Sequence, residues 1–421
     1  MINLPNISYT IQNDICTGCG ICQGACPSGA IGFSIRKGEF RPVINDSLCN
    51  NKKGCHRCYD ACPGLGANLI DGAKRLYNEE FTKSDKFLGR YIQCYTGYSN
   101  DKELRFHAAS GGLLSQFLIW LLEKKCIDGA VVTKYDKQSP LKVKTFIATS
   151  PVEIRLAKSS KYSPVTFNNV ANEIKSAGGS RYVVVGLPCH IEGMRKLMEI
   201  DRTIREKIIG LFAIYCSGTR TFNFTEYILN NRGIDIDKVD YLSYRDNGCL
   251  GGMVVKGSGI DYYEDYQRYS HPLRSIFHPR RCLLCADHFG ELADMCFGDI
   301  HVKPFSDDKV GVNSVIARNN YWHQKLNQAC KEGAVTLNEL DEKKLLSSQK
   351  MAKIKKNRNV AYGLLVKYFG GVMPDYGYTN GARVNMLIAL KYVRMSIERY
   401  IGRHRCLWWI IPIVKSKVYI H

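Results

Sequence analysis

The chain has 421 residues, of which 45% are hydrophobic, and a formal net charge of +20. This length allows two or three domains with cores of their own, and the composition excludes an intrinsically disordered chain. A charge this basic points to an anionic membrane surface, an acidic protein or nucleic acid, but no helix-turn-helix, zinc-finger or RNP pattern is present, which places nucleic acid last.

The opening stretch, MINLPNISYTIQND, lacks both a basic start and an apolar run, so it does not read as a signal peptide. The apolar stretches LLSQFLIWLL and LWWIIPIV are too short to span a bilayer. The expected compartment is the cytosol. Eighteen cysteines in that compartment argue for metal or cluster ligation rather than disulfides.

The first cysteine run is CTGCGICQGACP, with Cys16, Cys19, Cys22 and Cys26 closed by Pro27. The second is CNNKKGCHRCYDACP, with Cys49, Cys55, Cys58 and Cys62 closed by Pro63. Cys19, Cys22 and Cys26 recur 36 positions later, and Cys16 recurs 33 later, at Cys49. This is an internal repeat. In C-x2-C-x2-C runs three thiolates wrap one cube, and the fourth cysteine ligates the other cube. One [4Fe-4S] cluster is thus expected at Cys16, Cys19, Cys22 and Cys62, and a second at Cys49, Cys55, Cys58 and Cys26. Paired structural zinc sites fit less well, because zinc takes two cysteine pairs with a longer gap between them. Gly18, Gly20 and Gly24 are expected to let backbone amides approach the sulfurs.

From about residue 88 helices and strands alternate, which predicts an α/β body with a mixed sheet. SGGLLSQFLIWLLEKK reads as a helix with Ser110 as N-cap. DGAVVTKY and VKTFIATS read as strands, VANEIKSAG as a helix, and RYVVVG as a buried strand. REKIIGLFAIYC reads as a strand ending at Cys216, and FTEYILNNRG as a helix. Residues 260–281 read as a loop, and the chain turns helical again near 321. The last 71 residues carry thirteen Lys/Arg against two Asp/Glu. There Met386, Leu390, Val393, Ile397 and Ile401 recur at helical spacing, followed by Trp408 and Trp409. This face either lies on an anionic membrane leaflet or packs on the chain's own body.

Three spots carry chemistry. Ser110, Gly111 and Gly112 open a helix and suit an anion, although such starts are often only caps. Gly186, Pro188 and Cys189 stand where a buried strand ends, the usual mouth of an α/β site. Cys282 and Cys285 form an isolated Cys-x2-Cys pair that needs partners. Cys189 and Cys216, both near strand ends, are the best; Cys296 is the rival. Asp287, Asp294 and Asp299 read as helix caps or surface charges.

In order, the two-cluster head, Ser-Gly-Gly, SSKYSPV, GLPCH and CLLCADHFGELADMCFGD resemble the beta subunits of coenzyme F420 hydrogenase and related dehydrogenases. YRDNG and NSVIARN echo the same family. The resemblance spans roughly residues 10–340. It implies an iron–sulfur flavoprotein, with FAD near Ser110, Gly111, Gly112, Lys161, Tyr162, Gly186 and Pro188. It also implies a third [4Fe-4S] cluster at Cys189, Cys216, Cys282 and Cys285. Longer chains with such a tail resemble partners of polysaccharide pyruvyl transferases in surface-glycan pathways.

The expected architecture is therefore α+β and α/β. A two-cluster ferredoxin-like domain occupies residues 1–78. A mixed-sheet α/β flavin-binding body occupies residues 88–345 and divides near 175. A basic helical tail occupies residues 346–421. The expected function is an oxidoreductase that passes electrons from the clusters through FAD to an organic acceptor, with a redox protein as partner. An electron-transfer subunit without its own substrate, or a scaffold with structural clusters, are the other classes. No residue is singled out as catalytic.

Overall fold

The fold is described from a computed structural model, which covers all residues except 1–4, 78, 79, 81, 137, 138, 140, 271, 274, 379–381 and 415–421. The head contains a short helix α1 (Ile21–Ala25), a hairpin of β1 (Ile31–Arg36) and β2 (Glu39–Ile44), and a helical turn α2 (Arg57–Asp60). Gly20 and Gly24 have a task beyond the one expected. A Cβ on Gly20 would stand 2.4 Å from the amide of Asn168, and one on Gly24 would stand 2.5 Å from the Ala171 methyl. Both glycines let the head sit directly on the body. Gly18 does serve a sulfur, its amide donating to Cys16 Sγ at 3.4 Å.

The body is built on an eight-stranded mixed sheet. Its early elements are β3 (Gln93–Ser99), α3 (Leu113–Glu123), β4 (Gly129–Tyr135) and β5 (Val143–Ala148). β6 (Tyr182–Gly186), α4 (Pro188–Ile200) and β7 (Ile208–Ile214) follow. Every residue of β6 is buried, as a central parallel strand covered on both faces requires. Pro188 starts α4 at the position where its missing N–H is harmless. Next come β8 (Val239–Asp246), β9 (Gly252–Gly257) and β10 (Ile260–Asp265), which form a separate antiparallel sheet, then the short helix α5 (Arg280–Leu283). β11 (Met295–Asp299), β12 (Asn313–Ala317), α6 (Asn320–Lys331) and β13 (Val335–Glu339) complete the body. The large sheet runs β13-β3-β12-β11-β7-β6-β4-β5. The β11–β7, β7–β6 and β6–β4 pairs are parallel and the rest antiparallel.

Several sequence expectations change here. Ser110 is not the N-cap of α3; Gly112 holds that position at φ +72°, and no side chain caps the helix. REKIIGLFAIYC divides into a helix, Arg202–Lys207, and strand β7. Residues 260–281 are not a loop, because IDYYED pairs with β9 and is followed by a helix at Tyr266–Ser270. Cys189 lies in the first turn of α4 rather than at a strand end.

The basic tail is only partly a surface. Helical segments Met351–Ile354 and Val360–Tyr368 join through a π-helical turn, Lys355–Asn359, that buries Lys355, Lys356 and Asn359. Helix α7 (Met386–Arg403) follows. Met386, Leu390, Val393 and Ile397 are exposed on it, whereas Ile401 is buried. Trp408 packs edge-on against Tyr227 and Phe277, and Trp409 is exposed.

Candidate functional site

The head brings its eight cysteines together as two sets. Cys16, Cys19, Cys22 and Cys62 are all buried. Burial pushes the Cys22 thiol well up, and the neighbouring Cys19, Cys16 and Cys62 thiols push it further. The Cys62 sulfur accepts the amide of Gly64 at 3.3 Å. The second set, Cys26, Cys49, Cys55 and Cys58, lines one pocket walled by Pro27, Ile31 and Ile44. Burial pushes the Cys58 thiol up to about 11, with Cys26, Cys55 and Cys49 adding to it. Cys26 thus stands with the second run and Cys62 with the first. Among the described residues no three His, Cys, Asp or Glu side chains are arranged for a single metal ion. Buried free thiols with amide donors aimed at sulfur form a donor set suited to a multi-iron cluster.

A third thiol set lies beneath the end of β7. The Cys189 thiol is pushed well up by burial and then by Cys216, Cys19, Glu192 and Cys285. Burial raises Cys282 to about 12, and Cys216 and Cys285 contribute. Cys216 accepts the Gly218 amide at 3.4 Å. Burial also opposes ionisation of Cys285, yet the Lys355 and Arg281 cations hold its thiol below the ordinary value. The structure therefore brings Cys189, Cys216, Cys282 and Cys285 together. Cys19 stands among the neighbours of Cys189, which links this set to the head. Cys296, the rival, sits within β11, paired in register with Ala213 and Ile316 and fully buried in the core.

The aspartates of this region are not surface charges. Asp287 is buried and accepts the amides of Gly290 and Glu291. Asp294 is buried, accepts the Leu211 amide and pairs with Arg195 at 3.0 Å. Asp299 pairs with the buried Arg245 at 2.6 Å.

A cavity of about 310 Å³ opens beside the third thiol set. Cys216 belongs to both. Ser110, Gly112, Lys161, Tyr162 and Gly186 line it, while Gly111 and Pro188 do not. Gly111 backs onto Gly311, whose carbonyl oxygen would lie 2.8 Å from an added Cβ. The start of α3 is less open than an anion site needs, because the Leu113 amide already donates to Asn313 Oδ1 at 3.0 Å.

Lys161 Nζ donates to the carbonyls of Ala157, Lys158 and Ser159, and burial pushes its ammonium down to about 7. His190 stacks on Phe167 at 4.3 Å, and burial lowers it to about 4, so its ring is neutral at physiological pH. Its Nδ1 accepts the Leu187 amide and its Nε2 donates to the Val165 carbonyl, which fixes the tautomer. The volume suits a small organic cofactor; a Cβ on Gly186 would stand 2.8 Å from that of His190, and one on Gly112 would stand 3.3 Å from the Leu104 carbonyl oxygen, so both glycines serve close packing around the cavity. Arg245, Asp299, His190 and Tyr266 also line the cavity. The sequence alone singles out neither Arg245, although it lies inside YRDNG, nor His190 or Tyr266, and Asp299 reads there as a cap or surface charge.

Comparison with known proteins follows the same division of the chain. Residues 94–172 match the family model for the coenzyme F420 hydrogenase/dehydrogenase beta subunit N-terminus, and residues 179–343 match that for its C terminus. Residues 15–79 match the 4Fe-4S dicluster domain, so the head is an iron–sulfur electron-transfer module. The coenzyme F420-dependent sulfite reductase of Methanocaldococcus jannaschii is 24% identical over 361 residues, covering 82% of this chain and 51% of that protein. The chain thus spans about half the length of that relative. A coenzyme F420 hydrogenase subunit beta from Methanothermobacter thermautotrophicus is 28% identical over 289 residues, covering 64% of this chain and 95% of the relative. A chain of the F420-reducing [NiFe] hydrogenase complex from Methanosarcina barkeri shares the fold, with a TM-score of 0.56 at 19% identity. That match covers 69% of this chain and 99% of the other.

Proposed function

We propose, for a chain that belongs to the coenzyme F420 hydrogenase/dehydrogenase beta-subunit family, the role of an iron–sulfur flavoprotein oxidoreductase that delivers electrons from its head to an organic acceptor at the cavity. The observation that carries this reading is the place of Cys216, which belongs to the third thiol set and also lines the cavity. Cys19 and Cys189 connect that set to the head. Three thiol sets and one cavity therefore form a continuous series.

In this reading Cys16, Cys19, Cys22 and Cys62 hold one [4Fe-4S] cluster, and Cys26, Cys49, Cys55 and Cys58 hold another. Cys189, Cys216, Cys282 and Cys285 hold a third. Ser110, Gly112, Lys161, Tyr162 and Gly186 face FAD, with Gly111 and Pro188 shaping the turns behind them. Iron–sulfur clusters carry single electrons, and a flavin pairs them for an organic acceptor. Lys161 supplies positive charge to an anionic part of the cofactor. The Arg245–Asp299 pair fixes the far wall. His190 stays neutral and holds the strand-to-helix turn at Leu187.

The test is anaerobic purification of the full chain with iron, sulfide and flavin counted. About twelve irons and one FAD per chain are expected. A chain with about eight irons and no flavin would overturn the flavoprotein reading. Turnover of a small acceptor by the isolated chain separates an enzyme from a transfer subunit serving another protein. A role beside a polysaccharide pyruvyl transferase rests on the resemblance of the longer basic chain alone, and the cavity does not depend on it.

A second reading concerns where the protein works. No described helix is long and apolar enough to cross a membrane. Helix α7, however, exposes Met386, Leu387, Leu390, Val393 and Ile397 beside exposed Lys391 and Arg394. Its one acidic residue, Glu398, is buried. An apolar stripe beside exposed Lys391 and Arg394, the latter also meeting Glu398 at 3.7 Å, complements an anionic lipid surface. We infer peripheral contact with the inner membrane leaflet through this face.

A further inference from the structure

The segment that follows residue 343, where the family match ends, closes over the Cys282–Cys285 turn. Asn359 Nδ2 donates to the carbonyls of Cys282 and Cys285 at 3.3 and 3.0 Å. Tyr376 OH accepts from Arg281 at 2.7 Å. Lys355 reaches a sulfur directly, as Tyr376 also does at Cys285. Its Nζ lies 3.4 Å from Cys285 Sγ and donates to the Asp287 carbonyl at 2.6 Å.

Lys355 is 1% exposed. A buried ammonium is costly unless a negative group meets it. Its neighbour Lys356 meets Glu291 at 2.7 Å. Lys355 forms no ion pair with a carboxylate among the described residues. Its ammonium instead meets the Cys285 sulfur, at 3.4 Å. The Asp287 carboxylate itself is engaged by the Gly290 and Glu291 amides. Lys355 is thus a cation assigned to thiolates. The π turn explains how it gets there, since the extra residue per turn aims Lys355, Lys356 and Asn359 inward together.

We propose that Lys355 is a positioning residue that sets the reduction potential of the cluster held by Cys189, Cys216, Cys282 and Cys285. The inference rests on the third-cluster reading given above. The step concerned is a one-electron reduction, with the electron coming from a reduced redox protein through the head. No bond forms or breaks at Lys355, and it keeps its proton. Reduction adds one negative charge to the site. A fixed cation against Cys285 stabilises that added charge more than it stabilises the oxidised form, so it raises the potential. Removing the cation makes the site harder to reduce.

The experiment uses the full chain, purified without oxygen and titrated with dithionite while its clusters are followed by electron paramagnetic resonance. The signal lost in Cys285→Ser identifies the third cluster. Lys355→Met should retain the native iron content and show about a tenfold lower reduced-to-oxidised ratio at that site at a fixed potential, equivalent to about 59 mV for one electron. Lys355→Arg, which keeps the charge, should stay close to native, and the head clusters should not move. Asn359→Leu loosens the same turn without removing charge and should leave the potential near native. A native potential in Lys355→Met with iron intact would overturn the proposal. So would an equal shift in Asn359→Leu, since that would mark a structural effect. If Lys355→Met loses iron, Lys355→Gln decides by the same ratio. Native protein with only about eight irons would instead refute the third cluster itself, and this proposal with it.

Discussion

The ammonium of Lys196 donates to the carbonyl oxygen of Cys62 across 3.1 Å. Lys196 and Cys189 stand on the same helix, α4, so one rigid element touches the head at one point and supplies a third-set thiol at another. Arg281 completes the joint by donating to the carbonyls of Gly64 and Pro63 at 2.8 and 2.9 Å. It is 3% exposed. Arg281→Met should destabilise the chain by about 3 kcal/mol, because the Gly64 carbonyl and the Tyr376 hydroxyl lose their charged donor, while the Pro63 carbonyl keeps only the Gly66 amide. Anaerobic thermal denaturation measures this. A loss below about 1 kcal/mol would mean that the head docks without Arg281.

The exchange of Cys26 and Cys62 between runs gives a pairing test. Cys26→Ser and Cys49→Ser should damage the same cluster, so combining them should remove about four irons, the number lost in either alone. Combining Cys26→Ser with Cys16→Ser should remove about eight. Iron analysis of the four variants distinguishes crossed from uncrossed sets. If Cys26→Ser and Cys16→Ser together cost about four irons, the runs are not exchanged.

The cysteine repeat was legible because cluster ligation is largely local: spacing within fifteen residues gathers three thiols of each set, and the repeat shows where the crossing fourth comes from. RYVVVG was legible for a similar reason, since a central parallel strand is buried along its whole length. Arg245 and Asp299 were not legible. They meet at 2.6 Å across 54 residues, and each alone looks like a surface charge. Ser110 was misread because Gly112, at a positive φ, starts the helix two residues later. IDYYED was misread because its polar, tyrosine-rich pattern hid an alternation of burial that suits an edge strand. Lys355 was the least legible of all. A lysine in a basic run looks solvated until a π turn aims it inward.

Lys161 gives a pH test. Burial lowers its ammonium to about 7 from an ordinary value of 10.5. Between those values the unfolded chain holds a proton that the folded chain lacks, so stability rises with pH across that window. Below pH 7 both states are protonated, and this contribution is flat. An anionic group in the cavity returns the charge to Lys161 with proton uptake, so affinity for FAD should fall as pH rises above 7. The fall is up to about tenfold per unit. Lys161→Gln should bind more weakly and without this slope. Measuring FAD dissociation from the full chain at pH 6.5 and at about pH 8.5 decides it. Equal slopes in both proteins would show that Lys161 does not face the anion.

Helix α7 separates its two faces cleanly, which makes the membrane reading testable without unfolding the chain. Arg399 and Arg403 pair with Asp14 at 3.2 and 3.1 Å, and Arg403 also pairs with Glu39 at 2.8 Å. Asn223 donates to the Gly402 carbonyl at 2.9 Å. These contacts fix the C-terminal half of the helix to the body and leave Leu390 and Val393 outward. Deleting the whole helix would disturb the head, so point variants are the better probe. The full chain should sediment with vesicles containing phosphatidylglycerol and be released by salt, since each Lys or Arg near such a surface contributes about 1 kcal/mol. Leu390→Glu with Val393→Glu should abolish sedimentation while iron content and thermal stability stay native, because neither side chain packs on the body. Lys391→Gln with Arg394→Gln should weaken it by roughly thirtyfold, as the loss of two charges worth about 1 kcal/mol each predicts. A native chain that stays in the supernatant at low salt would show that this face serves something other than a lipid surface.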